Sequence, residues 1–183
     1  MSKLAAHMTF YAAYHRDPRN RLTHFFGVPA IVFSYLLLLS YPQVDVAGFP
    51  VSAALVFMAV MTVYYMTLDV VIGAALGLVT LPVLYAAHVV AGMPAGVGVA
   101  AFLVSFVGGW AVQLLGHKYE GNRPALVSNL WQMFVAPLFL MAEAFFMAGL
   151  KKDVEAEVER RVEAFVAEHG KPGVKAGAEP ARA

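Results

Sequence analysis

The sequence predicts an all-α fold: a polytopic membrane helical bundle with four spanning helices, a broken or re-entrant fifth apolar segment and a C-terminal amphipathic helix. Three observations carry this. Of 183 residues, 60% are hydrophobic and only 14% charged, against about 25% charged in an ordinary soluble domain. The charges are segregated: residues 25–116 hold Asp45 and Asp69 and no lysine or arginine. Uncharged stretches close to the roughly 20 residues that span a bilayer recur along the chain.

Taken in order, the Ser-Lys-Leu-Ala-Ala-His opening has no long apolar run followed by a cleavage site, so the N-terminus is expected to stay on the protein. Residues 25–41 run uncharged into the Tyr41-Pro42 break and residues 46–68 end at Asp69, giving two spans separated by a short loop at 42–50. Residues 70–116 are too long for one crossing, and Gly92-Met93-Pro94 divides them into spans at 70–91 and 95–116. Gly73, Gly77 and Gly92, with Ala74 and Ala75, suit close helix approach.

The fifth apolar stretch, 124–150, opens at Pro124, carries Pro137 near its middle and contains Glu143. Proline removes a backbone donor, and a carboxylate at membrane depth needs a polar partner. The expectation is a fold-back at Ala136-Pro137 that brings Glu143 to the same end as the basic segments. These residues, 1–150, form the membrane-embedded domain. Val154, Val158, Val162 and Phe165 then recur at helical spacing among alternating charges, marking 151–169 as an amphipathic helix. The composition of 170–183 reads as a disordered tail.

Orientation follows from the positive charges. Lys3, Arg16, Arg19 and Arg21 precede the first span, Lys118 and Arg123 follow the fourth, and the intervening loops at 42–50 and 92–96 have none. Four crossings place both basic segments on the cytoplasmic side, and a hairpin in the fifth segment keeps Lys151-Lys152 there too. Composition also removes function classes. There is no cysteine, so disulfides, thiolate metal sites and cysteine nucleophiles are excluded and any metal must use nitrogen and oxygen ligands. A formal net charge of +1 gives no basic field for nucleic acid.

Six histidines occur, at 7, 15, 24, 88, 117 and 169. His15 and His24 are nine residues apart, which on one unbroken helix would point them to opposite faces. Asp17-Pro18 supplies a break, with Asp17 as cap and Pro18 in the first turn of a new helix. Gln113, His117 and Glu120 share one helical face, and four crossings return them to the surface that carries His15 and His24. Interfacial anchoring competes as a reading for any single histidine. Three at one surface beside Glu120 and Glu143 favour a metal centre, and the donor set suits iron, zinc, copper or nickel. His88 reads as a hydrogen-bonded packing residue, His7 and His169 as solvent-facing. Arg16, Arg21 and Arg123 either hold a carboxylate head group or serve positive-inside anchoring.

Two passages, Tyr14-His15-Arg16-Asp17-Pro18-Arg19-Asn20-Arg21-Leu22-Thr23-His24 and Gln113-Leu114-Leu115-Gly116-His117-Lys118-Tyr119-Glu120-Gly121-Asn122-Arg123-Pro124, resemble the paired histidine signature of the Mpo1-like family. Ala136-Pro137-Leu138-Phe139-Leu140 followed by Glu143 is similar to its closing motif. The resemblance covers roughly residues 8–150 and implies an integral membrane, Fe(II)-dependent dioxygenase. Such an enzyme shortens a 2-hydroxy long-chain fatty acid by one carbon with molecular oxygen, releasing the carboxyl carbon, as in fatty-acid α-oxidation. The family's histidines map onto His15, His24 and His117. Glu120 and Glu143 match acidic positions that either ligate iron or orient a ligand histidine by accepting its second N–H. The resemblance implies the endoplasmic reticulum for a eukaryotic chain and the plasma membrane for a bacterial one.

Three alternatives stand beside this reading: a haem protein with two axial histidines, a membrane fatty-acid hydroxylase or desaturase, and a transporter or structural protein. The hydroxylase class places histidines three or four residues apart or adjacent, a pattern missing here. The sequence sets no oligomeric state. The topology makes a direct prediction: a cysteine introduced near position 20 and another near 46 should react with membrane-impermeant reagents from opposite sides. Labelling of both from one side would overturn the four-crossing scheme.

Overall fold

The computed structural model describes residues 2–121 and 132–170. Among them the order is α1 (Lys3–Ala13), α2 (Pro18–Ser40), β1 (Gln43–Val46), β2 (Phe49–Ser52), α3 (Ala53–Leu68), α4 (Val70–Ala91), α5 (Ala95–Glu120), α6 (Gln132–Met147) and α7 (Lys152–His169). Three helices, α2, α4 and α5, are long and apolar enough to cross a membrane, and α3 and α6 are apolar but shorter. Arg123, Pro124 and residues 171–183 of the expected tail lie outside the described residues.

Local chemistry sets the boundaries. Asp17 caps α2 by accepting the Arg19 N–H, with Pro18 at the first helical position. The first long helix therefore starts seven residues before the expected 25 and carries a polar N-terminal turn. Asp69 is extended and caps α4 by accepting from the amides of Val71 and Ile72. Its other oxygen takes Lys151 Nζ at 2.7 Å. A carboxylate in an otherwise uncharged run is thus used as a helix cap tied to the start of α7.

The region read as a loop, and the first part of the expected span 46–68, form instead an antiparallel hairpin, which corrects the purely helical expectation. Val46 pairs with Phe49 across Ala47 and Gly48, both at positive φ, and Asp45 accepts the Gly48 N–H at 2.9 Å. That backbone suits a two-residue turn whose twist matches the strands. The hairpin leaves α3 with 16 residues, about 24 Å of helix.

α2 packs chiefly against α5, and the contact is glycine-lined. A Cβ on Gly109 would lie 2.8 Å from Ile31 Cγ1 and 3.1 Å from the Gly27 carbonyl, and one on Gly116 would overlap Thr23 Oγ1 and Asn20 Oδ1. Gly73 and Gly77 do the same for α3 against α4, where Met66 N and Thr62 Cγ2 stand at 2.5 and 2.6 Å. Gly92 caps α4 with nothing pressing on it, so its expected packing role is absent.

Contacts at the helix ends fix the directions. Ser40 Oγ meets His88 Nδ1 at 3.3 Å, joining the C-terminal ends of α2 and α4, so α3 returns the chain between them. α5 then runs antiparallel to α2, from Gly98 beside Tyr41 to Gly116 beside Thr23. α1 lies across the opposite end, packed on α6 and α7, with Leu4, Ala5 and Met8 fully buried and Val154, Val158 and Val162 of α7 in the same core.

α6 corrects one expectation. It runs unbroken from Gln132 to Met147 with Pro137 inside it, so no fold-back occurs at Ala136-Pro137. Proline costs one backbone bond, a loss that a packed membrane helix tolerates when neighbours supply donors. The carbonyl that Pro137 leaves without its helical donor is that of Met133, and the Tyr65 hydroxyl donates at 2.7 Å to the next one, that of Phe134. Glu120 before the gap and Glu143 after it nevertheless lie at the same end, through contacts to Asp17 and Arg21.

Gly116→Ala is predicted to lower stability by roughly 1–3 kcal/mol through overpacking of α2. Gly108→Ala, where a Cβ meets nothing, should be neutral or slightly stabilising. Thermal unfolding in detergent of the two single variants is the check.

Candidate metal centre

His15 stands in the break between α1 and α2, His24 lies about two turns into α2, and His117 occupies the last turn of α5. All three are buried, at 2%, 2% and 6% exposure. Their ring centroids are 4.5 Å apart for His15–His24, 5.0 Å for His15–His117 and 5.1 Å for His24–His117. One ligand nitrogen from each lies within 4.8 Å of the others. The cluster that topology permits is therefore formed.

Backbone geometry decides which nitrogens point inward. His15 Nδ1 is 2.7 Å from the Tyr11 carbonyl and His24 Nδ1 is 2.8 Å from the Asn20 carbonyl. A carbonyl only accepts, so each Nδ1 carries the proton and donates it. Each Nε2 then presents a lone pair, and these two face each other at 3.1 Å. Two acceptors at that distance repel unless a cation sits between them. A cation about 2.1 Å from each of two imidazole nitrogens, at a right angle, sets them about 3.0 Å apart. The third imidazole has a buried Nδ1 with no partner. The residues fit a metal ion.

Electrostatics agree. Burial, and then the neighbouring His24, hold His15 well below the ordinary histidine range, so it is neutral with its lone pair free. The Tyr11 ring stacks on it at 3.9 Å between centroids, 2° from parallel. Tyr11 and Asn20, which aim the rings, were not singled out by the sequence reading. The signal for both is the i−4 position relative to His15 and His24.

The two carboxylates sit around the cluster. Glu120 accepts the backbone N–H groups of Arg16 at 3.0 Å and Asp17 at 2.8 Å and the Asn20 Nδ2 at 3.0 Å. Glu143 pairs with Arg21 at 2.8 Å. The second nitrogens of His15 and His24 thus go to backbone carbonyls where a carboxylate was expected. Arg16 is paired with Glu159 of α7 at 2.7 Å. His88 sits at the far end against Ser40 and Leu84, and His7 and His169 are exposed.

Two cavities meet at His15. One of about 720 Å³ runs between the helices, lined mainly by apolar groups such as Val28, Leu36, Phe57 and Met141, with His15, His24, His117 and Gln113 among its polar members. The other, of about 220 Å³, is polar and lined by His15, Arg16, Arg21, Glu143, Glu155 and Glu159.

Residues 1–148 match the family model described as Mpo1-like, 2-hydroxy-palmitic acid dioxygenase Mpo1-like. The chain belongs to the Mpo1-like family. It is 31% identical over 164 residues to the 2-hydroxy-palmitic acid dioxygenase MPO1 of Saccharomyces cerevisiae (strain ATCC 204508 / S288c), covering 87% of this chain and 90% of the yeast protein. No solved structure matches. The Mpo1-like match includes all three histidines and ends before α7, so Glu155 and Glu159 in the polar cavity come from outside it.

Replacing His15, His24 or His117 with alanine is predicted to lower metal affinity at least roughly tenfold, more than the loss of an orienting partner commonly costs at the low end. His7→Ala and His169→Ala should leave it unchanged. Metal quantification on purified protein after dialysis reads the difference, and equal retention by the triple alanine variant would sink the assignment.

Proposed function

We propose that this Mpo1-like protein is a membrane-embedded, Fe(II)-dependent dioxygenase that converts 2-hydroxy long-chain fatty acids to acids one carbon shorter. The observation that carries the reading is three buried imidazoles at the polar end of a cavity large and apolar enough for an alkyl chain. The yeast relative named for 2-hydroxy-palmitic acid supplies the substrate class.

The stoichiometry suits such a site. Converting the CH(OH)–COOH end to a shorter acid and carbon dioxide releases four electrons, which one O2 accepts in full, with one water formed. No external reductant is required. Bound ferrous iron would supply a Lewis-acidic, redox-active centre held by His15, His24 and His117, a nitrogen donor set compatible with iron. The chain's own residues do the rest. The apolar lining takes the tail and excludes water. The carbonyls of residues 11 and 20 keep the His15 and His24 imidazoles in one tautomer. Arg21, in the polar cavity on the other side of His15, is placed to draw the carboxylate, and Glu143 keeps it there. Glu120 holds the α1–α2 junction, and so the backbone on which His15 rides. Arg16 adds positive charge in the same polar cavity, and Arg123 keeps its candidate role from the sequence alone. In the positive-inside orientation the site opens to the cytoplasm, in the plasma membrane of a bacterium or the endoplasmic reticulum of a eukaryote.

Protein purified without oxygen should hold stoichiometric iron and, given 2-hydroxypalmitate and O2, release the fifteen-carbon acid with carbon dioxide from C1. Iron-loaded protein without that product, or equal turnover after iron removal, would refute the reading. Each histidine variant is expected to lose roughly 100-fold or more in turnover. Arg21→Ala should raise KM about tenfold, the order of one charge-assisted hydrogen bond, with iron retained.

A further inference from the structure

Gln113 lines the large cavity together with the three histidines, and the mechanism does not use it. It lies one turn before His117 on the same face of α5 and is 6% exposed. Its Oε1 is buried with no hydrogen-bond partner. Its stem is fixed against α2, because a Cβ on Gly27 would come within 3.0 Å of its Cγ. A buried amide oxygen without a donor is disfavoured, and native interiors rarely leave one so. Gln113 is among the residues that line the cavity, so a donor carried by its occupant would complete it.

Resting on the function proposed above, we infer that Gln113 reads the 2-hydroxyl of the substrate, its Oε1 accepting the hydroxyl proton. The argument is one of inventory. The tail of a fatty acid carries no donor and its ionised carboxylate only accepts. The hydroxyl at C2 is the single group on a 2-hydroxy acid with a proton to give an amide oxygen, and it sits next to the carboxyl end that the histidine cluster attracts. An unsubstituted fatty acid entering the same cavity leaves the amide oxygen orphaned. A site built around a polar group rejects the analogue that lacks its partner far better than an apolar pocket rejects a missing methylene. Gln113 would thus keep the abundant unsubstituted acids of the membrane from occupying the centre.

The test compares binding of 2-hydroxypalmitate, 2-fluoropalmitate and palmitate to the detergent-purified, metal-loaded full chain under anaerobic conditions. Fluorine keeps the size and polarity of the hydroxyl without a proton to donate. The wild type should prefer 2-hydroxypalmitate to both others by roughly tenfold or more. Gln113→Met should narrow that ratio to within about threefold, with palmitate affinity and bound metal unchanged, whereas Gln113→Glu, which still accepts a proton, should keep the preference. In turnover, Gln113→Met should raise KM for 2-hydroxypalmitate more than it lowers kcat. Equal binding of 2-fluoro- and 2-hydroxypalmitate by the wild type overturns the inference without any variant. So does an unchanged ratio in Gln113→Met, or loss of metal from that variant, which would place Gln113 in the scaffold of the centre. A wild type that binds iron yet does not turn over 2-hydroxypalmitate fails the functional reading itself and takes this inference with it.

Discussion

Everything at the histidine end depends on how closely α2 and α5 approach. His24 and His117 lie on different helices, 93 positions apart in sequence, and their rings meet at 5.1 Å because Gly27, Gly109 and Gly116 remove the side chains that would hold those helices apart. Helices in lipid gain little from apolar contact, since the solvent is as apolar as the side chains, so small residues that permit dense packing dominate such interfaces. The same glycines that make the pair stable also set the spacing of the donors. The chain therefore builds its site from a packing rule and adds the ligands afterwards.

The third histidine arrives by another route. His15 is on neither long helix, and a residue between helices is held only as well as its neighbours hold it. Here the consecutive backbone amides of Arg16 and Asp17 are taken by Glu120, the ring is stacked on Tyr11, and Asp17 starts the next helix. Three independent constraints converge on three consecutive residues, His15, Arg16 and Asp17. A formal carboxylate near a metal is commonly read as a ligand, but the observed use of Glu120 is mechanical: it accepts three N–H groups and spends its charge on the junction.

What could be read from sequence followed the strength of the underlying signal. Asp69 and Gly92 bound α4 at the residues expected, because a lone carboxylate in an apolar run and a glycine turn have few alternative meanings. Asp17-Pro18 gave the break between His15 and His24 for the same reason. The hairpin escaped notice because Val44, Val46, Phe49 and Val51 are as apolar as the span they adjoin, and hydropathy alone does not separate strand from helix. Pro137 reads as a breaker by its intrinsic chemistry, yet in the packed bundle the helix continues through it with only the bond to the Met133 carbonyl removed. The α2–α5 glycines were invisible individually: which of 15 glycines face a partner helix is a property of the fold. Helix α1 was also unread, although Leu4, Met8, Tyr11 and Ala12 carry its spacing.

The division of polarity across His15 gives the arrangement its chemical sense. An amphipathic acid has a long tail that belongs with lipid and a charged head that does not, and any site that works on the head must stand where the two environments meet. Here His15 lines both an apolar cavity of about 720 Å³ and a charged one of about 220 Å³. The charged side is balanced internally, Arg21 by Glu143 and Arg16 by Glu159, so it can stay hydrated near the membrane without leaving an isolated ion. α7 supplies part of that balance, and because Val154, Val158 and Val162 anchor it in the core around α1, the helix beyond the family match is built into the wall of the polar chamber. A cavity with one wet wall and one dry wall orients its occupant before any specific contact forms.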